Sequence, residues 1–172
     1  MPTLTRPAPG VVVRPAGPAD LPALHQLLDR CSPPTLYRRF HGAASVAARR
    51  ELARITSPHD RHRSWVAVGP DGTVHGTSTL AWGRSGTVEV AFLVEDAQQR
   101  RGIGRSLAAA VLAAARASGL ATVEAVIQAD NVAARSFLRA VAPDVAVRLT
   151  GGEAVATISV SGPGAPLLGE VA

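Results

Sequence analysis

The chain has 172 residues, of which 47% are hydrophobic, enough for one domain with a real core. Its formal net charge is +5 and all of its basic residues are arginine, since no lysine occurs. This composition attracts polyphosphate or acidic partners, and it also matches a general Ala, Gly and Arg bias across the chain. Aromatics at 3% exclude a base-stacking surface, the single Cys31 excludes an internal disulfide, and no apolar run nears the ~20 residues of a membrane span. The expectations that follow are a cytoplasmic protein that binds no nucleic acid and no membrane.

Residues 1–10 are Pro-rich and read as a disordered leader, residues 11–161 as the one domain, and the Gly/Pro-rich residues 162–172 as a flexible tail. Val11 to Arg14 predicts a short strand. Gly17-Pro18-Ala19-Asp20 is a helix-start signal with Asp20 as the cap, and Leu21, Leu24, Leu27 and Leu28 form one apolar stripe. Cys31-Ser32-Pro33-Pro34 stops that helix, Thr35 to Phe40 starts a second, and Val46 to Ile55 makes a third with Arg49, Arg50 and Arg54 on its polar side. Cys31 reads as a partly buried thiol, with no base nearby to make it a nucleophile. His59-Asp60-Arg61-His62 lacks a third ligand on a fixed scaffold, so no metal site is expected.

Ser64 to Val68 and Thr73 to Ala81 predict a hairpin around Gly69-Pro70-Asp71-Gly72. The central stretch follows: a strand over Thr87 to Val94, then Gln98-Gln99-Arg100-Arg101-Gly102-Ile103-Gly104, then a helix over Arg101 to Ser118 closed by Gly119. A basic, glycine-containing turn at a helix start suits an anion, because the first N–H groups of the helix lack intrahelical partners and its dipole favours negative charge. A dinucleotide fingerprint fits poorly, since Leu107 stands where the third glycine belongs, although Glu124 falls where a ribose-binding acid would. Ala121 to Ile127 predicts a strand and Asn131 to Val141 a helix with Ala134, Phe137, Leu138 and Val141 on one face. Val145 to Leu149 and Val155 to Val160 close the domain as a hairpin around Gly151-Gly152.

Gln99-Arg100-Arg101-Gly102-Ile103-Gly104 resembles the Q/R-x-x-G-x-G/A acyl-CoA motif of the GNAT-superfamily N-acyltransferases, and the resemblance in element order runs from Val11 to Val160. It implies an α/β fold of the GNAT type, with a mixed, mostly antiparallel central sheet flanked by helices on both faces. It implies acetyl-CoA as cosubstrate and an amine acceptor. The pantetheine arm would lie along the edge of Phe92, Leu93 and Val94. The pyrophosphate would sit over Arg100 to Arg105, with Gln99 in the motif, Ser106 as a further donor and Asn131 at the next helix start. On this reading Gly104 is where the pyrophosphate nears the backbone, so Gly104→Asp is expected to weaken CoA binding and leave the fold intact.

Strand alternation puts Glu89 on the face of Ala91 and Leu93, an acid in an otherwise apolar strand. The resemblance implies a general base that takes the proton of the attacking amine, which is mostly protonated at neutral pH. A strand-end acid or an ion-pair partner for Arg84 is the other reading. Many family members carry a tyrosine one position beyond Phe137 to protonate the leaving thiolate, whereas this chain has Leu138, and Ala142-Pro143 replaces their Gly-Phe.

Leu36-Tyr37-Arg38-Arg39-Phe40-His41-Gly42 resembles the L-Y-x-R-F segment beside the acceptor cleft of bacterial protein-lysine acetyltransferases. The implied function is acetyl-CoA-dependent N-acetyl transfer to a primary amine, with a protein lysine as acceptor. The alternatives are a small-molecule amine or a non-catalytic acyl-CoA sensor. Monomer and homodimer are left equally open.

Overall fold

The structure is a computed structural model that describes residues 10–41, 45–57, 61–83 and 85–160. The expected leader and tail, Arg84 and the His59–Asp60 pair therefore lie outside the described residues. The elements run β1 (Val12–Pro15), α1 (Leu21–Arg30), α2 (Pro33–Phe40), α3 (Ser45–Thr56), β2 (His62–Val68), β3 (Val74–Trp82) and β4 (Val88–Val94). They continue with α4 (Ile103–Ala117), β5 (Thr122–Gln128), α5 (Val132–Val141), β6 (Ala146–Thr150) and β7 (Glu153–Ser159). The seven strands form one sheet in the order β1-β2-β3-β4-β5-β7-β6.

Every neighbouring pair in the sheet is antiparallel except β4 and β5, which are parallel and in register at a single position, Glu89 opposite Glu124. β3 by contrast pairs with β4 along all of Val88 to Val94. A parallel neighbour needs a crossover, and α4 supplies it.

The two-residue period of the strands sorts their side chains onto two faces. Val88 and Val90 of β4, with Val123 and Ala125 of β5, pack under Val111, Leu112 and Ala115 of α4 and Leu138 of α5. Leu93 faces the other way and joins Leu24, Leu27, Leu28, Ala48, Leu52 and Ile55 from α1 and α3. The expected leucine stripe of α1 is thus the seam of the second face, with Leu24, Leu27 and Leu28 buried. A third group, Ala67, Ile103 and Leu107, seats the start of α4 on β2.

Three local expectations change. α1 stops at Arg30 as expected, but α2 opens at Pro33 rather than Thr35, because the N–H groups that proline lacks have no intrahelical partners in a first turn anyway. Asp20 makes no side-chain cap on α1. Its carboxylate instead takes both Arg14 guanidinium nitrogens, at 3.0 and 2.7 Å, and the Gly17 N–H at 2.9 Å. That hydrogen bond to Arg14 holds the Asp20 carboxyl below its usual range. Finally, α4 starts at Ile103, two residues late, because Arg100 and Gly102 take left-handed conformations with φ of 60° and 89°.

The burial of Cys31 and the nearby acids Asp96 and Glu95 push its thiol up to about 12, so it stays protonated and unreactive at neutral pH. His62 is buried, and its Nε2 donates to the Ser57 carbonyl at 2.9 Å. No helix among the described residues is long and apolar enough to cross a membrane.

Leu107 is fully buried where α4 meets the sheet. Leu107→Ala should lower the unfolding free energy by about 2–5 kcal/mol, read from denaturant midpoints. A loss within experimental error of zero would contradict the packing described.

Candidate active site

The single register pair between β4 and β5 leaves a gap. Past Glu89 and Glu124 the strands share no further pairs, so alternate residues of β4 turn their N–H and C=O groups toward β5 without a strand to receive them. A cavity of about 940 Å³ opens there. Val90 to Val94 form one wall and Ala125 to Ile127 the other, with Ala134, Phe137 and Leu138 of α5 along it. Phe137 packs edge-on to Phe92, with centroids 5.3 Å apart.

Of the residues expected in the site, Glu89, Phe92, Leu93, Val94, Gln99, Arg100, Gly102, Gly104, Arg105 and Asn131 all border this cavity. Exposed Gln99 donates from Nε2 to the Val94 carbonyl at 3.1 Å, tying the turn to the strand end. The Asn131 side chain accepts the Ala134 N–H at 3.1 Å and caps α5. Arg100 and Arg105 are exposed at the lip, beside the first turn of α4.

Arg101, Ile103 and Ser106 are outside the cavity lining. The Arg101 guanidinium reaches Gln98 Oε1 at 2.9 Å, Ile103 is 1% exposed and belongs to the core, and the Ser106 hydroxyl folds back to the Gly102 carbonyl at 3.4 Å. The helical phase explains this, since Ile103 and Leu107 share one side of α4 and must face the sheet.

The turn is held from below by a buried acid that no local sequence pattern marks. Glu95 is 4% exposed; its carboxylate bonds Arg30 Nε of α1 and, at 2.7 Å, His75 Nδ1 of β3. The next residue, Asp96, accepts the Ser32 N–H and hydroxyl, both at 2.8 Å, and the Thr35 hydroxyl at 2.7 Å. Desolvation works against ionisation of Asp96, but these bonds outweigh it and the carboxyl stays below its usual range. One acidic dipeptide thus fixes the start of the basic turn and the start of α2.

α2 closes the cavity from the α1–α3 face. It has no fully buried residue and is tied at both ends: to Asp96 at its start, and at its finish by Gln128 Nε2 donating to the Tyr37 carbonyl at 3.1 Å and by His41 Nδ1 against Glu153 Oε1 at 3.0 Å. Thr35, Arg38, Arg39, Phe40 and His41 consequently border the cavity on the side where Glu89 projects. Arg100 and Arg105 thus border one part of the lining, and α2 with Glu89 another.

Gly104 is governed by packing. A Cβ built on it meets Phe137 Cε2 at 3.1 Å, so a side chain here requires the ring to give way by a few tenths of an ångström, a constraint from packing in addition to any from the cosubstrate. Alanine gains about 1 kcal/mol in helix propensity, while overpacking costs about 1–3 kcal/mol, so Gly104→Ala should destabilise modestly. In a Phe137→Ala background the same substitution should become stabilising, as thermal melts of the double-mutant cycle will show; a single variant more stable than wild type would contradict the contact.

The family model described as an acetyltransferase (GNAT) domain matches residues 11–141. Among solved structures, the GNAT domain of S. lividans PAT superposes with a TM-score of 0.75 at 23% identity, covering 86% of this chain and 89% of that one. A GCN5-related N-acetyltransferase from Kribbella flavida gives 0.70 at 21% identity, covering 87% and 96%. The acetyltransferase yncA of Salmonella typhimurium, a structure with its cofactor acetyl-CoA, gives 0.64 at 18% identity, covering 92% and 99%. The seven-stranded, mostly antiparallel sheet is the GNAT fold of these neighbours. The chain belongs to the GNAT acetyltransferase family, and is an N-acetyltransferase with acetyl-CoA as its cosubstrate.

Proposed function

We propose that the protein transfers the acetyl group of acetyl-CoA directly to a primary amine, with Glu89 as the general base and a protein lysine as the acceptor. The observation that carries this reading is the position of Glu89: an exposed carboxylate on the cavity wall, at the point where β4 and β5 part, on the face bordered by α2. Among the described residues it has no ion-pair or hydrogen-bond partner, so its oxygens are available to an ammonium group.

The lining suits acetyl-CoA. Apolar walls from Val90, Phe92, Val126 and Phe137 match the acyl and pantetheine portion, and the backbone groups of β4 match its amides. Arg100 and Arg105 beside the start of α4 suit the pyrophosphate. The cosubstrate supplies the activated acyl group as a thioester. The chain's part is to hold that group in the gap, and to take the proton from the amine through Glu89 as nitrogen attacks.

Leu138 is 2% exposed where many relatives carry a tyrosine, so no phenol serves as acid there. Cys31, buried and protonated, borders no part of the cavity. Water in the open cavity is then the proton source for the departing thiolate. The lysine preference rests on α2, whose Leu36–His41 sequence resembles the acceptor-side segment of protein-lysine acetyltransferases and which exposes Tyr37 at its rim.

Glu89→Gln should leave acetyl-CoA affinity unchanged by calorimetry while lowering turnover by about 10²–10⁴-fold. The deficit should shrink at high pH, where the amine is already deprotonated. A folded Gln variant with wild-type turnover at neutral pH would remove Glu89 from the mechanism. Mass analysis of lysine-containing peptides against small amines tests the acceptor, and turnover confined to small amines would contradict the lysine assignment.

A further inference from the structure

Two arginines of α2 border the acceptor side of the cavity, and they differ in kind. Arg38 is exposed and solvated, whereas Arg39 is half-buried. The Arg39 guanidinium lies over the Phe40 ring, 4.7 Å from its centroid. Among the described residues Arg39 has no hydrogen bond and no ion pair. The nearby carboxylate, Glu51, is engaged by Arg54 in a two-pronged pair at 2.9 and 2.7 Å. Burial pushes the pKa of Arg39 down, opposed by the charge of Glu51.

A partly buried guanidinium whose donors bond no anion leaves hydrogen-bonding capacity unused, and a bound carboxylate would satisfy it. Its fork of donors matches a carboxylate, which it holds through two parallel hydrogen bonds. Glu89 is its counterpart: an exposed carboxylate that borders the same cavity and, among the described residues, pairs with no cation. The two groups together are complementary to a molecule that carries both charges.

We infer that Arg39 binds a carboxylate carried by the acceptor, so that the preferred acceptor is an amine with an acidic group close to the reacting nitrogen. This rests on reading the cavity as an amine acetyltransferase site and narrows its substrate class. The carboxylate has two sources, an acidic residue beside the target lysine of a protein or the acid group of a free amino acid, and the same contact serves either.

The test measures acetyl transfer at saturating acetyl-CoA with two matched pairs: lysine peptides in which the neighbouring residue is Asp or Asn, and 4-aminobutyrate against butylamine. Wild type should favour the carboxylate-bearing member of at least one pair by about 10-fold or more in kcat/KM, the effect of one hydrogen bond between charged groups. The pair that responds identifies the source.

Arg39→Gln should erase the preference, chiefly by raising KM for the acidic member, so that the ratio of kcat/KM within the responding pair falls to about 1. Arg39→Lys, which keeps the charge but loses the fork, should retain part of it. A charge-matched control, Arg139→Gln on the exposed side of α5, should keep the whole preference.

Wild-type turnover on neutral amines without a carboxylate preference overturns this inference and leaves amine transfer standing. So does a preference that survives in a folded Arg39→Gln protein. Absence of turnover with all four acceptors overturns the amine-transfer reading and this inference with it.

Discussion

The structure depends on one constraint, that β4 and β5 run parallel and meet at a single register position. Had the two strands stayed paired, the sheet would be continuous and its middle filled by Val90, Phe92, Ala125 and Ile127 alone. Because they part after Glu89 and Glu124, a slot opens through the centre of the sheet, with main-chain groups on its walls and a different set of helices on each side. A buried, unpaired strand edge is costly, which makes the slot a place where a ligand with amide groups stabilises the fold as well as being held by it.

Keeping such a slot open requires both margins to be anchored, and the anchors are polar. Glu95 ties the base of the basic turn to α1 and β3, and Asp96 ties it to α2. Gln128 and Glu153 tie the far end of α2 to β5 and β7. α2 therefore bridges the two halves of the split sheet while burying no residue fully. Its Leu36 and Phe40 only flank the core of the α1–α3 face.

Much of this was legible in the sequence where a short-range rule governs. Alternation over Thr87 to Val94 put Glu89 on the face of Leu93, and that is the face it occupies. Apolar spacing in α1 predicted the seam of Leu24, Leu27 and Leu28, and the glycine-containing turn marked the start of α4. The misses involve residues whose partners are distant in the chain. Glu95 reads as a loop acid until Arg30, 65 positions away, is brought beside it, and Asp20 reads as a cap until Arg14 claims its carboxylate. Within the motif, Arg101, Ile103 and Ser106 could not be separated from Gly102, Gly104 and Arg105 because the boundary of α4, and hence its phase, depends on left-handed backbone at Arg100 and Gly102. Arg39 was equally hidden: its lack of a partner is a property of α3, where Arg54 occupies Glu51.

We propose that the divergent edge of β4 and the turn before α4 together receive acetyl-CoA. Amide hydrogen exchange with and without acetyl-CoA measures this directly, because new backbone hydrogen bonds slow exchange where they form. Slowing is expected at the alternate residues of Val90 to Val94 whose N–H groups face β5 and at Gly102 to Arg105, with β1, β2 and β6 unaffected. Protection absent from β4, or concentrated on strands away from the gap, would contradict it.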